Sequence, residues 1–415
     1  MVVDMATGSN NPWPATRTER RRWDWSGERP SGRADRLFDH YRSAIVPPIA
    51  DATLSIGATA AAELDTATAA IAALDADPDN HLAGVAGALL RSESVGSSKI
   101  ERLDIDARAL GMAALGETRP KAAATQVWAN VAAMEVAVAV ADSTRPIEID
   151  TILAIHRALM HDDPYEADSA GRLRTVQNWI GGSDACPRGA LFVPPAPEQV
   201  PAAMADLAAF VNRTDLPVLA QAAIAHAQFE TIHPHVDGNG RTGRALIHMV
   251  IRRRGLARRV IVPTSAALLA DVDGYFAALS AYRAGDLDRY LAHVAAATGR
   301  AAHEAAVLGR ELRRIRADWD ARVRPRAGSL LVRLLDGLCQ QPVISSTING
   351  ATGADPKGTH VGIRRLADAG VIVEVTSGRR NRVWVATEVT SALDEFARRI
   401  GPRQDGRLLE TTGRP

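Results

Sequence analysis

The run His233-Pro234-His235-Val236-Asp237-Gly238-Asn239-Gly240-Arg241-Thr242-Gly243-Arg244 decides how the rest of this 415-residue chain is read. Twelve consecutive positions hold two imidazoles, a carboxylate, an amide, three glycines and two guanidinium groups. Upstream, Leu219 to Thr231 has the composition of an Ala-rich helix, which Pro234 breaks. Downstream, Ala245, Leu246, Met249 and Val250 recur at helical spacing until Gly255 stops them. The run is therefore a loop feeding a helix N-terminus. Free backbone N–H groups and the positive end of the helix dipole coincide at Gly238-Asn239-Gly240, which makes an anion site suited to phosphate. Arg241 and Arg244 can add bidentate phosphate contacts. Asp237 beside a phosphate nest suits Mg2+, which takes one or two carboxylates and completes its shell with phosphate oxygens. His233 can accept a proton from an attacking hydroxyl. Together these groups describe phosphoryl or nucleotidyl transfer.

A Gly-rich turn with solvated arginines accounts for any one of these pieces, but not for the ordered set. The His233-x-His235-x-Asp237 spacing also suits a hydrolytic zinc site. Such motifs continue with another His, and here Gly238 follows.

The run resembles the signature of the Fic family, His-Pro-Phe-x-(Asp/Glu)-Gly-Asn-Gly-Arg-x-x-Arg, with His235 in place of Phe. The resemblance implies a mainly α Fic helical fold with a β-hairpin flap, and transfer of AMP from ATP to a protein hydroxyl with Mg2+. It implies His233 as general base and Asp237 as the metal ligand. Glu101, His233, Gly238, Asn239, Gly240, Arg241, Thr242, Gly243, Arg244 and Phe276 would belong to the ATP site, with Gly238, Asn239, Gly240 and Arg241 cradling the α- and β-phosphates and Arg244 gripping the γ-phosphate. The family's kinase-like branch carries Lys at one loop glycine; Gly238 and Gly240 are intact, which favours nucleotidyl transfer. His235 is a smaller and more polar plug under the loop than Phe.

The resemblance extends upstream. Ser97 and Glu101, four apart and on one helix face, match the inhibitory pattern (Ser/Thr)-x-x-x-Glu-(Gly/Asn), while Arg102 departs from its last position. It implies that Glu101 pairs with Arg244. An arginine held by a carboxylate cannot also hold a γ-phosphate. If Glu101 instead positions a water, removal of AMP from a target becomes possible. Tyr275 matches the first member of the family's Tyr-Tyr pair, and Phe276 takes the second place, against adenine. His156 is expected as a packing histidine on a helix from Thr151 to Met160.

Gly171 to Ile180 and Ala190 to Val193 are β-forming runs around Gly181-Gly182, and they predict a hairpin. The resemblance makes it a flap that pairs with a strand of the protein substrate, the chain itself included.

Around this core we expect a flexible tail at 1–22, a helical region with the inhibitory helix at 23–145, and a catalytic domain at 146–300. A connector helix at 301–325, a winged-helix domain at 326–400 and a tail at 401–415 follow. The last domain is expected from three helices and a hairpin, the second helix starting near Ser345 and the third spanning Asp355 to Ala369. His360, Arg364, Arg365, Arg379 and Arg380 would form a DNA-facing patch, diluted by Asp336, Asp355, Asp368 and Glu374. Protein docking or homodimer formation is the other use of such a module. A different class of function follows from it: a transcription regulator whose Fic fold only senses nucleotide.

Composition narrows the setting. There are 49 Lys and Arg against 48 Asp and Glu, so net charge draws the chain neither to nucleic acid nor to membranes. Two isolated cysteines, Cys186 and Cys339, fit a reducing compartment and build no zinc framework. Neither a signal pattern nor a membrane-length apolar run is present, and we read the chain as cytoplasmic.

Overall fold

The computed structural model describes residues 13–24, 32–77, 83–103, 122–142, 145–163, 166–345, 356–376 and 382–401. Helices dominate. In chain order they are α1 (Ala58–Ala76), α2 (Ala83–Ile100), α3 (Ala122–Ala141), α4 (Ile149–Met160), α5 (Val200–Val211), α6 (Val218–Ile232), α7 (Asn239–Arg253), α8 (Thr264–Leu269), α9 (Val272–Arg283), α10 (Leu287–Val323), α11 (Leu330–Gln340), α12 (Pro356–Asp368) and α13 (Thr387–Ile400). None of the described helices is long and apolar enough to cross a membrane.

α6 is the axis of the fold. It is rich in alanine, and every residue from Leu219 to Ile232 is buried, so helices pack on it from all sides. Its polar side chains are tied off locally. Gln221 Nε2 donates to the carbonyls of Phe210, Val211 and Arg213, which closes the C-terminal end of α5. Gln228 Nε2 donates to Pro47 O, and Tyr282 donates to Gln228 Oε1 at 2.8 Å. α7 folds back against α6, and the turn between them carries the decisive loop.

The N-terminal stretch corrects the sequence-based expectation. Arg17–Arg22 is a strand, β1, paired antiparallel with β2 (His40–Ile45), so the part of 1–22 described here is no loose tail. The stretch from Asp35 onward is likewise not helical throughout. Trp13 is buried against Tyr282, and Trp23 stacks edge-on against Tyr41 and Trp179. Trp25 lies outside the described residues.

The expected connector at 301–325 is the second half of α10, a 37-residue helix that begins at Leu287 inside the preceding bundle. About 55 Å long at 1.5 Å per residue, it ties the C-terminal unit to the bundle. Trp319 is buried in that junction, and Arg322 binds Glu388. The C-terminal unit contains α11, α12, α13 and a three-stranded antiparallel sheet in the order β3 (Val343–Ser345), β5 (Val383–Val385), β4 (Val373–Glu374). Its α11 also packs on α2. The expected second helix of this unit and the wing-tip residues Arg379 and Arg380 lie outside the described residues. Arg365 is exposed and donates from Nη2 to Val323 O at the end of α10. Arg382 is likewise engaged, paired with Glu374.

Candidate active site

α6 ends at His233, which takes the left-handed conformation (φ 50°, ψ 61°) that reverses the chain. Such a conformation is uncommon for a residue with a side chain and needs outside support. Arg174 supplies it. Its guanidinium is buried and donates from Nε to His233 O at 2.8 Å, from Nη1 to Val176 O at 3.0 Å and from Nη2 to Pro195 O at 2.6 Å. Its own N–H donates to Pro234 O. Burial lowers its pKa to about 10, which leaves it charged at neutral pH. Arg174→Ala would strand several buried carbonyls and is expected to cost about 2–4 kcal/mol of stability, read from denaturant unfolding. An unfolding free energy unchanged by the substitution would contradict the clamp.

The loop then turns inward at His235, whose ring is buried and stacks on His156 with centroids 3.6 Å apart and planes within 2°. A second imidazole thus fills the space that the smaller plug leaves. Gly171 N–H donates to His156 Nδ1, so the His156 proton resides on Nε2 and is donated to Asp237 O at 3.0 Å. His235 Nδ1 donates to Arg172 O. Burial lowers the pKa of His156 to about 4 and that of His235 to about 3, so both rings are neutral struts. His156 is the packing histidine expected, and it also fixes the loop. Because His235 is buried in this stack while the Asp237 side chain is largely exposed, His233, His235 and Asp237 do not converge as a zinc triad.

Asn239 is expected in the cradle through its backbone N–H. Its side chain does not face an anion: Oδ1 accepts from His235 N–H and Nδ2 donates to His235 O, both at 2.9 Å, so it staples the loop. Its backbone still opens α7. Gly238, at φ 74°, is the N-cap, a conformation glycine adopts without strain. The amides of the first turn of α7 are left for an anion. Arg241 is buried, 3.6 Å from Asp237, with its Nε unpartnered. Thr242 is buried with an unpartnered hydroxyl, and Gly243 packs against His226, Phe229 and Glu230 on α6. These two stand behind the cradle, not on its surface.

Arg244 is only 1% exposed, and its Nε and Nη2 are engaged. Its Nε donates to Ser97 Oγ at 2.9 Å, and its Nη2 donates to Ser97 O and Glu101 Oε1, both at 2.8 Å. Glu101 lies just past the end of α2 with its side chain 38% exposed. A Cβ on Gly240 would fall on Glu101 Oε1, so the missing side chain is what admits the carboxylate to the head of the cradle. Burial pushes the Glu101 pKa up, but the charge and hydrogen bond of Arg244 outweigh it, and the carboxyl ends below its ordinary value of 4.5. The pair therefore persists through neutral pH and dissolves only as pH falls below that range. Arg102 is at φ 62° and ends the helix; it does not intercept Glu101.

A second buried contact seats the same helix. Glu93, two turns before Glu101, accepts from Ser265 N–H at 2.7 Å and from Ser265 Oγ, and lies 2.9 Å from His248 Nε2. Glu93, Ser97 and Glu101 thus meet His248, Arg244 and Gly240, each series stepping by four residues. No sequence motif marks Glu93, although it stands four residues before Ser97.

Tyr275 is core, donating to or accepting from His226 Nε2 at 2.7 Å, whereas Phe276 is 49% exposed with a face open to a base. The expected hairpin is reduced to one bridge, Ile180 with Phe192. Its arms spend their remaining polar groups elsewhere: Ala44 N–H donates to Val193 O, and Asn178 Nδ2 donates to His235 O. Arg283 lies 3.8 Å over the Phe192 ring. β2 and the decisive loop, not a second flap strand, hold the flap.

Residues 146–251, which contain the whole cradle, match the family model described as Fic/DOC. This stretch is similar to Fic domains. Over 153 residues it is 35% identical to protein adenylyltransferase fic-1 of Caenorhabditis briggsae, covering 36% of this chain and 27% of that protein. Over 158 residues it is 33% identical to protein adenylyltransferase Fic of Nematostella vectensis, covering 37% and 33%. The alignments therefore span about a third or less of these relatives' length. A Fic family protein from Desulfovibrio desulfuricans G20 superposes on 80% of this chain and 97% of its own, with a TM-score of 0.53 at 18% identity. That likeness extends the Fic fold beyond the matched domain into the flanking helices.

Proposed function

We propose that this protein is an adenylyltransferase that moves AMP from ATP to a hydroxyl of a protein, and that α2 holds it in check through Glu101. The observation that carries both halves is Arg244, a buried guanidinium at the head of an anion cradle, occupied by Ser97 and Glu101. The first turn of α7, with Arg241, would bind the α- and β-phosphates, and Arg244 would bind the γ-phosphate once released. Phe276 would stack on adenine. The exposed Asp237 carboxylate beside the cradle fits a Mg2+ ion, whose charge would offset that of the phosphates. Burial, with Arg283 and Arg174 nearby, lowers the His233 pKa to about 3, so the ring is neutral and able to accept a proton. It would take the proton of the incoming hydroxyl as that oxygen attacks Pα and pyrophosphate leaves. The flap, with Leu191 86% exposed on its second arm, would receive the acceptor segment.

The test is label transfer to total cell protein and to the chain itself, with Mg2+ and ATP labelled either at Pα or at Pγ. Covalent label from Pα alone supports adenylyl transfer; label from Pγ alone would make the protein a kinase and overturn the proposal. We further propose that the C-terminal unit is a winged helix, on the order of its helices and its three-stranded sheet.

The seat of α2 offers a separate prediction. A Cβ on Gly96 would stand 2.6 Å from Ala266 N and 2.7 Å from its Cα, a backbone that cannot yield without shifting α2 or α8. Gly96→Ala is expected to lower stability by about 1–3 kcal/mol. By loosening Glu101 from Arg244 it should also raise transfer about tenfold, a shift of about 1.4 kcal/mol. A destabilised variant with unchanged basal transfer would show that the helix seat and the inhibition are independent.

A further inference from the structure

α6 carries a buried carboxylate that the transfer step above leaves unused. Glu230 is 6% exposed and lies one turn before His233. Its Oε2 is 4.0 Å from His233 Nδ1, and its Oε1 is 4.0 Å from His226 Nδ1. Glu230 Oε1, His226 Nδ1 and His233 Nδ1 are all buried without a hydrogen-bond partner. Three unpaired buried polar atoms converging on one point are costly to the fold and call for an explanation. The other charged or titratable groups that interact with Glu230 are Arg244 on α7, Arg283 and Tyr275 on α9, Tyr290 on α10 and Glu101 beyond α2. Tyr275 also engages His226 Nε2.

For His233 to accept a proton on Nε2, its own proton must sit on Nδ1, the nitrogen that faces Glu230. We propose that Glu230 is a positioning residue for His233, its carboxylate receiving the Nδ1–H of the imidazolium formed when Nε2 takes the acceptor's proton. The inference rests on the adenylyl-transfer reading. In that step the acceptor O–H bond breaks and its proton goes to Nε2. The O–Pα bond forms, and the Pα–O bond to pyrophosphate breaks with its electron pair leaving on pyrophosphate. The positive charge created on the ring then lies against Glu230 in a site that excludes water, where an unpaired charge is unfavourable. Closing 4.0 Å to hydrogen-bond distance takes a movement of about 1 Å, and such bonds are commonly long before substrate binds. Burial raises the Glu230 pKa to about 7 against the opposing pull of Arg244 and Arg283, so the carboxylate becomes available as pH rises through neutrality. The Glu230 carbonyl also acts on His233, raising its pKa, so the substitution must remove the carboxylate and keep the backbone.

Glu230→Gln does so at nearly constant shape. In a Glu101→Gly background it is expected to lower kcat about 10- to 100-fold with the KM for ATP changed less than about twofold. The rise of kcat with pH that Glu101→Gly shows at or below about pH 7 should disappear. An unchanged kcat and pH profile, or a higher KM at constant kcat, would each overturn the role. If Glu101→Gly itself transfers nothing, the adenylyl-transfer reading and this inference fall together; if it is active and Glu230→Gln matches it, only this inference falls.

Discussion

Glu101→Gly is expected to raise AMP transfer about 10- to 100-fold over the unaltered protein. The argument starts from Arg244. It is only 1% exposed, and its Nε and Nη2 donors go to Ser97 and Glu101. A γ-phosphate must therefore displace the carboxylate before it is held. A hydrogen bond to a charged partner contributes about 1.5–3 kcal/mol, and 1.4 kcal/mol is tenfold. Glu101 is partly solvated, so the lower part of that range applies. Glycine removes the competitor and leaves the Ser97 contacts, so the helix should stay seated. The measurement is the initial rate of label transfer from α-labelled ATP at saturating acceptor. A rate equal to that of the unaltered protein would mean that Glu101 is a structural partner of Arg244 and not an inhibitor. Acid should mimic the substitution only weakly, because Arg244 holds the carboxyl ionised well into the acid range.

His233→Ala is expected to abolish that gain, lowering the rate of Glu101→Gly about 10²- to 10⁴-fold, the span of general base catalysis. The ring is neutral, buried on one side and partly open on the other, and it stands at the chain reversal that begins the cradle. Alanine at a left-handed position costs about 1–2 kcal/mol no more than histidine does, since neither is glycine. The loss should therefore appear in kcat, with nucleotide affinity nearly unchanged. A fall in ATP affinity large enough to explain the lost rate would instead assign His233 to binding.

Much of the site is local in sequence. His233 to Arg244 is contiguous; the proline break, the glycines and the following apolar spacing place a loop at a helix N-terminus before any contact is known. Resemblance added Ser97 and Glu101, and the structure brings both to Arg244 across 147 and 143 residues. β1 was not legible, because an edge strand of alternating exposure built from Arg and Glu carries no apolar stripe. The flap was legible as extended chain but not in its pairing, since β-propensity does not say which backbone partner wins.

The sequence and its family resemblance by themselves pointed to the chemistry proposed: a base, a phosphate cradle, a carboxylate suited to Mg2+ and an inhibitory glutamate, all carried by short motifs of residues a few positions apart. Only the tertiary structure decided the supports. Arg174 clamps the reversal at His233, His156 stacks under His235, the Asn239 side chain staples the loop, Glu93 seats α2, and Glu230 faces the His233 ring. Each of these depends on burial and on partners brought together by packing. Whether a buried polar group is a liability or a device is settled by what lies within a few ångströms of it, and linear spacing does not record that.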